Sequence, residues 1–371
     1  MTGCGAGYNP FVRRCRAHLA DHPQRILVVL PSWVGDFVMA TPALRALRAR
    51  FADASITLLA RPMIAELVAG GGWADAVVQW EPKRRHRRSF GLVGLAKRLR
   101  GGRFDWAVLL ANSFRSALLV RLAGIDRRIG YDRDGRGWLL TDRLPVPRDN
   151  GSIKITRMVD YYGTLAEHLG CDPPGDKLEL FVESSGEQAL ADRFGRLGVA
   201  DRQPLIVMSP GASFGASKLW PPERFAGLAD RLIDTHGATV LISCAPGEQA
   251  IARQIVGLMT RQAYVLDDPV TTLGEFKSLI RRCDLLICND AGARHVAKAF
   301  NRPVVTVFGP THPGWTDTDY PAERKVLIPV DCGPCQKKVC PLDHRCMTGI
   351  SVDMVAAAAD DLLKGCQGEA A

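Results

Sequence analysis

Four short stretches of this chain pair a charged side chain with small residues that let a backbone approach a ligand. In "PSWVGDFVMATPAL", Asp36 stands where an apolar run gives way to a helical pattern. A carboxylate there is either a helix cap or a working group such as a general base. The preceding turn, Pro31 to Gly35, carries one glycine, whereas a dinucleotide-binding turn needs three. In "SPGASFGASKLWPP", Pro210-Gly211-Ala212-Ser213 has the small side chains that permit close backbone approach. Lys218 lies just ahead of a proline-opened helix there, either as a phosphate partner or as an ordinary surface lysine. In "SCAPGEQ", Glu248 opens a helix, where it accepts hydrogen bonds from ribose hydroxyls or answers the helix dipole. In "CNDAGARHVAKAF", Asp290 suits an N-cap and Gly292 bares backbone N–H groups to an anion such as a diphosphate. His295 follows one turn later, facing a cleft or serving the structure. A fifth stretch, "CGPCQKKVCPLDHRC", places Cys332, Cys335, Cys340 and Cys346 in the spacing C-x2-C-x4-C-x5-C. Four sulfurs so close together either hold a structural zinc or form a loop of reduced thiols; the spacing is not that of two CxxC pairs.

All of these groups need a frame that brings distant loops together. Apolar runs at Ile26–Leu30, Ser55–Leu59, Ala76–Gln79 and Trp106–Leu110 alternate with helical patterns. That grammar belongs to parallel sheets flanked by helices. It restarts at "PLIVMSPGASFGASKLWPPERFAGLADRL" and continues through "ATVLISCAPGEQAIARQIVGLM" and "DLLICNDAGARHVAKAFNRPVVTVFGPTHPGW". Two such series predict two Rossmann-like domains facing a cleft, spanning 25–175 and 176–371 after an extension at 1–24. The polar stretch from Asp132 to Ser152 reads as loop, and "GCDPPGDKLELF" as the linker. Every chemistry-bearing loop follows a predicted strand, and ligands in such sheets bind at the carboxyl ends of strands.

The composition is globular, with 47% apolar and 23% charged residues. No apolar run reaches the roughly 20 residues of a membrane span, and the first residues lack the apolar centre of a secretory signal, so a cytoplasmic location is expected. The eleven cysteines are then mostly thiols. The net charge of +9 is concentrated: nine Lys and Arg, including Arg84, Arg85, Arg87 and Arg88, fall within 82–103 with no acid among them. Without those nine, the remaining basic residues equal the 39 acidic ones. The second half of the block spaces Leu92, Leu95, Ala96 and Leu99 as on a helix. Such a segment lies on an anionic membrane or packs its leucines into the core. Aromatic residues are nearly absent from it, and no nucleic-acid module is visible.

In order and together, "PSWVGDFVMATPAL", "ANSFRSALL", "PGASFGASKLWP", "CNDAGARHVAKAFNRPVVTVFGPTHP" and "CGPCQKKVCPLDHRC" resemble the lipopolysaccharide heptosyltransferases of glycosyltransferase family nine, the Cys-rich segment being that of the heptosyltransferase II type. The resemblance runs from about Arg25 to about Leu363. It implies an α/β, GT-B fold whose C-terminal domain binds the nucleotide sugar. It implies inverting transfer of heptose from ADP-heptose to a heptosyl-Kdo lipid A acceptor, without an obligatory metal or other cofactor. Carried onto this sequence, it makes Asp36 the general base, and Lys218, Glu248, Asp290, Gly292 and His295 donor-site residues with Ser213 in the Pro-Gly loop. At Ser213-Phe214 the chain departs from relatives of the first heptosyltransferase type, which carry neighbouring threonines. The acceptor is anionic, so the basic block, Arg115 and Arg133 become candidates for contact with it and with the inner face of the inner membrane. The rival expectations are a GT-B enzyme using another ADP- or UDP-sugar, and a non-catalytic binding module of the same fold.

Overall fold

The computed structural model describes residues 22–81, 91–199 and 204–368. Arg84, Arg85, Arg87 and Arg88 lie outside them. The first half builds a six-stranded sheet from β1 (Arg25–Val29), β2 (Ser55–Ala60), β3 (Ala76–Gln79), β4 (Trp106–Leu109), β5 (Arg127–Tyr131) and β6 (Asp142–Leu144). The order is β3-β2-β1-β4-β5-β6, and every pairing is parallel. Ile26, Leu27 and Val28 of β1 have no exposed surface, as expected of a strand covered on both faces. The helices are α1 (Val34–Met39), α2 (Thr41–Arg50), α3 (Pro62–Val68), α4 (Leu92–Gly101), α5 (Phe114–Leu122) and α6 (Met158–His168). A two-stranded antiparallel ribbon, β7 (Arg148–Asp149) with β8 (Ser152–Ile153), precedes α6.

The second half repeats the plan. After α7 (Ser184–Leu197), the strands are β9 (Leu205–Ser209), β10 (Thr239–Ser243), β11 (Tyr264–Leu266), β12 (Leu285–Asn289), β13 (Val304–Val307) and β14 (Glu323–Val326). Their order, β11-β10-β9-β12-β13-β14, has the same crossover pattern as the first sheet. The helices are α8 (Pro222–His236), α9 (Gln249–Leu258), α10 (Leu273–Arg282), α11 (Gly292–Ala299), α12 (Arg345–Thr348) and α13 (Val352–Gly368). One apolar cluster runs from Ile26 and Phe37 of the first half to Phe276, Leu279 and Val296 of the second, so the halves share core.

Two expectations need correction. The stretch from Asp132, read as loop, contains β6 and most of the β7–β8 ribbon. These strands are only two or three residues long and polar, and β6 lies at the sheet edge, where apolar alternation is not required. The Leu92–Leu99 pattern forms α4 as expected, but Leu95, Ala96 and Leu99 are buried in the core beneath the first sheet. The apolar face of α4 is occupied, and is not available to enter a membrane.

Candidate active site

The turns following β1, β9, β10 and β12 all open into one cleft between the halves, with a volume of about 890 Å³. Asp36 lines it from the first half; Ser213, Lys218, Glu248, Asp290, Gly292 and His295 line it from the second. Seven residues spread over 260 positions of sequence thus converge, because each sits at the carboxyl end of a parallel strand.

Asp36 occupies the first turn of α1 but does not cap it: the N-cap is Trp33, with no side-chain cap hydrogen bond. Two influences act on its carboxyl group. Burial disfavours the charged form, the Lys218 ammonium favours it, and burial wins, raising the pKa from 3.8 to about 6. A carboxylate of that pKa is a better base than an ordinary aspartate and is still ionised at neutral pH.

Asp290 is also not a cap; Ala291 holds that place at the start of α11. Its carboxylate is saturated by its neighbours. Oδ2 accepts from Lys218 Nζ at 2.6 Å and from Thr311 Oγ1 at 2.6 Å, while Oδ1 accepts from Arg294 at 3.0 Å. Arg294 continues to Glu323 at 2.9 Å, and Lys298 reaches the same carboxylate at 2.6 Å. Burial opposes ionisation of Asp290, but Arg294 and Lys218 outweigh it and hold its pKa below 3.8. Asp290 therefore holds Lys218 in place while lining the cleft. Lys218 also donates to the Asp290 carbonyl at 2.9 Å, which leaves the third N–H of the ammonium for a ligand. The ammonium lies 4.9 Å from the Phe214 ring centroid. Phe214 thus backs the lysine rather than offering a hydroxyl.

Gly292 is required by crowding as well as by its bared backbone. A Cβ there would come within 2.7 Å of Val34. Across the same contact, a Cβ on Gly35 would lie 3.0 Å from the His295 ring. The first turns of α1 and α11 therefore meet at the cleft floor, and the α11 N-terminus supplies unpaired N–H groups beside it. His295 is 2% exposed, with Nδ1 buried and unpartnered. Burial, then Arg294, Lys298 and Lys218, push its pKa well below 6.5, so the imidazole is neutral and does not serve as a cationic acid.

Glu248 is the N-cap residue of α9, as its place in the sequence suggests, and its Oε2 accepts from Ala245 N at 3.0 Å. The carboxylate lies directly over Gly211, where any side chain would collide with it. Ser213 is exposed at the rim. Arg115 and Arg133 do not line the cleft: Arg115 lies 5.8 Å from the Trp80 ring centroid, and Arg133 is 3.5 Å from Asp134. Sequence reasoning missed Arg61, the exposed N-cap of α3, which does line it. The signal was present, since Arg61-Pro62 follows β2 at the same end of the sheet as Asp36. Of the four clustered cysteines, Cys332 is exposed and Cys346 buried. Among the described residues, no group of three or more His, Cys, Asp or Glu side chains is placed to hold a metal ion.

Two repeated α/β units whose strand-end loops face a shared cleft give the chain a GT-B-type architecture. The family model for glycosyltransferase family 9 (heptosyltransferase) matches residues 92–345, and the chain belongs to that family. It is 32% identical over 301 residues to the lipopolysaccharide heptosyltransferase 2 of Escherichia coli K12, an alignment covering 79% of this chain and 84% of that protein. It is 30% identical over 315 residues to the lipooligosaccharide heptosyltransferase 2 of Haemophilus ducreyi, covering 82% and 88%. Among solved structures, E. coli ADP-heptose lps heptosyltransferase II superposes with a TM-score of 0.77 at 28% identity, over 92% of this chain and 99% of that one. A family 9 glycosyl transferase from Veillonella parvula, at 22% identity, shares the fold with a TM-score of 0.78 over 92% and 97%.

Proposed function

We propose that this enzyme moves a heptosyl group from ADP-heptose, with inversion, onto the heptosyl-Kdo2-lipid A inner core of lipopolysaccharide. The names of its relatives supply the reaction class. The observation that carries the reading is the placement of Asp36 and Lys218 in one cleft, close enough for the lysine to bias the aspartate's ionisation. Inverting transfer is one in-line displacement. The acceptor hydroxyl oxygen bonds to the anomeric carbon while the bond from that carbon to the diphosphate breaks, and ADP departs. The hydroxyl proton goes to the Asp36 carboxylate. Proton transfer is late, when bonding to the electron-poor carbon has made the hydroxyl acidic. Lys218 and the N–H groups at the start of α11 stabilise the charge that develops on the departing diphosphate.

Because those groups meet the diphosphate, the reaction proceeds without a metal, and a chelator leaves the rate unchanged. Glu248 accepts hydrogen bonds from the ribose. Arg61 at the mouth meets the anionic acceptor, and Arg115 and Arg133 serve its outer reach. Among the described residues no helix is long and apolar enough to cross a membrane. The enzyme works on the inner face of the inner membrane, held there by the basic residues of 82–103. Binding to anionic vesicles should therefore weaken with salt. The deciding experiment is an assay of transfer from ADP-heptose to a heptosyl-Kdo2-lipid A acceptor, together with thermal shifts by ADP and UDP. Transfer with a preference for ADP is expected; protection by UDP alone, or no transfer, would overturn the proposal.

A further inference from the structure

The Cys-rich segment has no place in the chemistry above, yet it touches the turn that carries Lys218. Ser217, the residue before that lysine, is 2% exposed and spends all three of its polar groups on this one segment. Its N–H donates to the Lys338 carbonyl at 3.1 Å. Its hydroxyl donates to the Lys337 carbonyl at 2.5 Å. Its own carbonyl accepts from His344 Nε2 at 2.7 Å. Gly215, two residues earlier, lies so close to the Lys338 carbonyl that a Cβ would collide with it. The turn Ala216–Lys218 is thus laced to a segment about 120 positions away in sequence.

The segment is itself anchored. Gln336 N donates to the Pro310 carbonyl at 2.8 Å. Past the fold-back, Cys346 and Met347 are buried, and a Cβ on Gly309 would meet both of their sulfurs. His344 holds a left-handed backbone, with φ of 61°, an uncommon conformation for a residue with a side chain. In that conformation it starts α12 while its ring reaches Ser217. Trp220, on the other side of Lys218, is fixed in turn: its indole N–H donates to the Ile350 carbonyl at 3.0 Å.

We infer that residues 336–344 form a strap that pre-sets the Lys218 turn, and that Ser217 and His344 are positioning residues for the donor diphosphate. A lysine carries a long flexible stem, and its value at a developing charge depends on being in place before the reaction. Asp290 holds the ammonium end; the strap holds the backbone end. The inference rests on the reading of Lys218 as the donor's phosphate partner.

The test uses the full chain and compares Ser217→Ala, His344→Ala, His344→Gln and Lys218→Met, each also combined with Lys218→Met where it applies. ADP affinity is measured by calorimetry, and KM is measured for donor and acceptor separately. Ser217→Ala and His344→Ala are each expected to weaken ADP binding and raise the donor KM about tenfold, as for a lost buried hydrogen bond, with the acceptor KM within about twofold. His344→Gln, whose amide N–H can reach the same carbonyl, should recover to within about threefold. In the Lys218→Met background the strap substitutions should have no further effect on ADP, because what they position is gone. Equal changes in both KM values, or an undiminished effect in that background, would overturn the strap. If Lys218→Met weakens ADP while Ser217 and His344 variants do not, the strap alone falls. If Lys218→Met leaves ADP binding unchanged, the donor-lysine reading falls first. Should Ser217→Ala not fold, the His344→Ala and His344→Gln pair carries the same comparison.

Discussion

Asp36 and Asp290 look alike in the sequence. Each lies beyond a buried strand, beside a helix start, with a glycine one or two residues away. In the structure they line the same cleft but differ in everything that sets their chemistry. Asp36 is half-buried, does not cap its helix, and has its pKa raised to about 6 by burial. Asp290 is 6% exposed, bonded to Lys218, Thr311 and Arg294, and held below its usual pKa. The lesson is that an aspartate surrounded by cations becomes scaffold, whereas one deprived of partners is left able to take a proton.

The largest effect should come from Asp36→Asn. Loss of the base should lower turnover by about a thousandfold, while ADP affinity measured by calorimetry stays within about twofold. Asp290→Asn should break the comparison in the opposite sense, because it strands buried cations. Denaturant unfolding should show a loss of about 3 kcal/mol, with weaker ADP binding as Lys218 loses its anchor. Gly292→Ala tests the contact between the two walls. Its Cβ would press on Val34 at 2.7 Å, and overpacking of this kind costs about 1–3 kcal/mol. Activity should fall and should recover in part when Val34→Gly is added, because the Val34 Cβ as well as its Cγ1 lies 2.7 Å from the added carbon. The smallest effect separates the two aspartates by sign. The folded pKa of Asp36 lies above its unfolded value, so its contribution to stability is present below about pH 4 and is lost as pH rises through about 6. Asp36→Asn should therefore be the more stable protein at pH 8, by at most about 3 kcal/mol, and lose that advantage by about pH 4. Asp290 has the reverse dependence: its contribution is present above about pH 4 and is lost as pH falls through its lowered pKa.

Much of the frame was legible because parallel sheets bury their central strands on both faces. Ile26–Leu30 and Trp106–Leu110 stood out as unbroken apolar runs, and Ala76–Gln79 was placed to the residue. The polar edge strand β6 gave no such signal. The cleft residues were legible as strand-end turns, yet their roles were not. Nothing local tells that Asp290 is saturated while Asp36 is bare. Asp290, just ahead of α11, and Arg294 and Lys298 on it do recur at intervals of four, a pattern that hints at a charged row. Their closing partner Glu323 arrives from β14 and could be found only in three dimensions. The leucines of α4 fitted a membrane face and a core face equally well, and packing against the first sheet decided between them. The strap on Ser217 was invisible for the same reason: its bonds run through backbone carbonyls, which carry no residue signature.

The central claim is that Asp36 takes the acceptor proton because burial has raised its pKa. The most direct test is the pH dependence of kcat/KM for the donor, which reports ionisations of the free enzyme. The account predicts full activity at pH 7–8 and a tenfold fall per pH unit below an apparent pKa of about 6. A profile that stays flat to pH 4.5, or a limb near 6 that persists in the residual activity of Asp36→Asn, would contradict it.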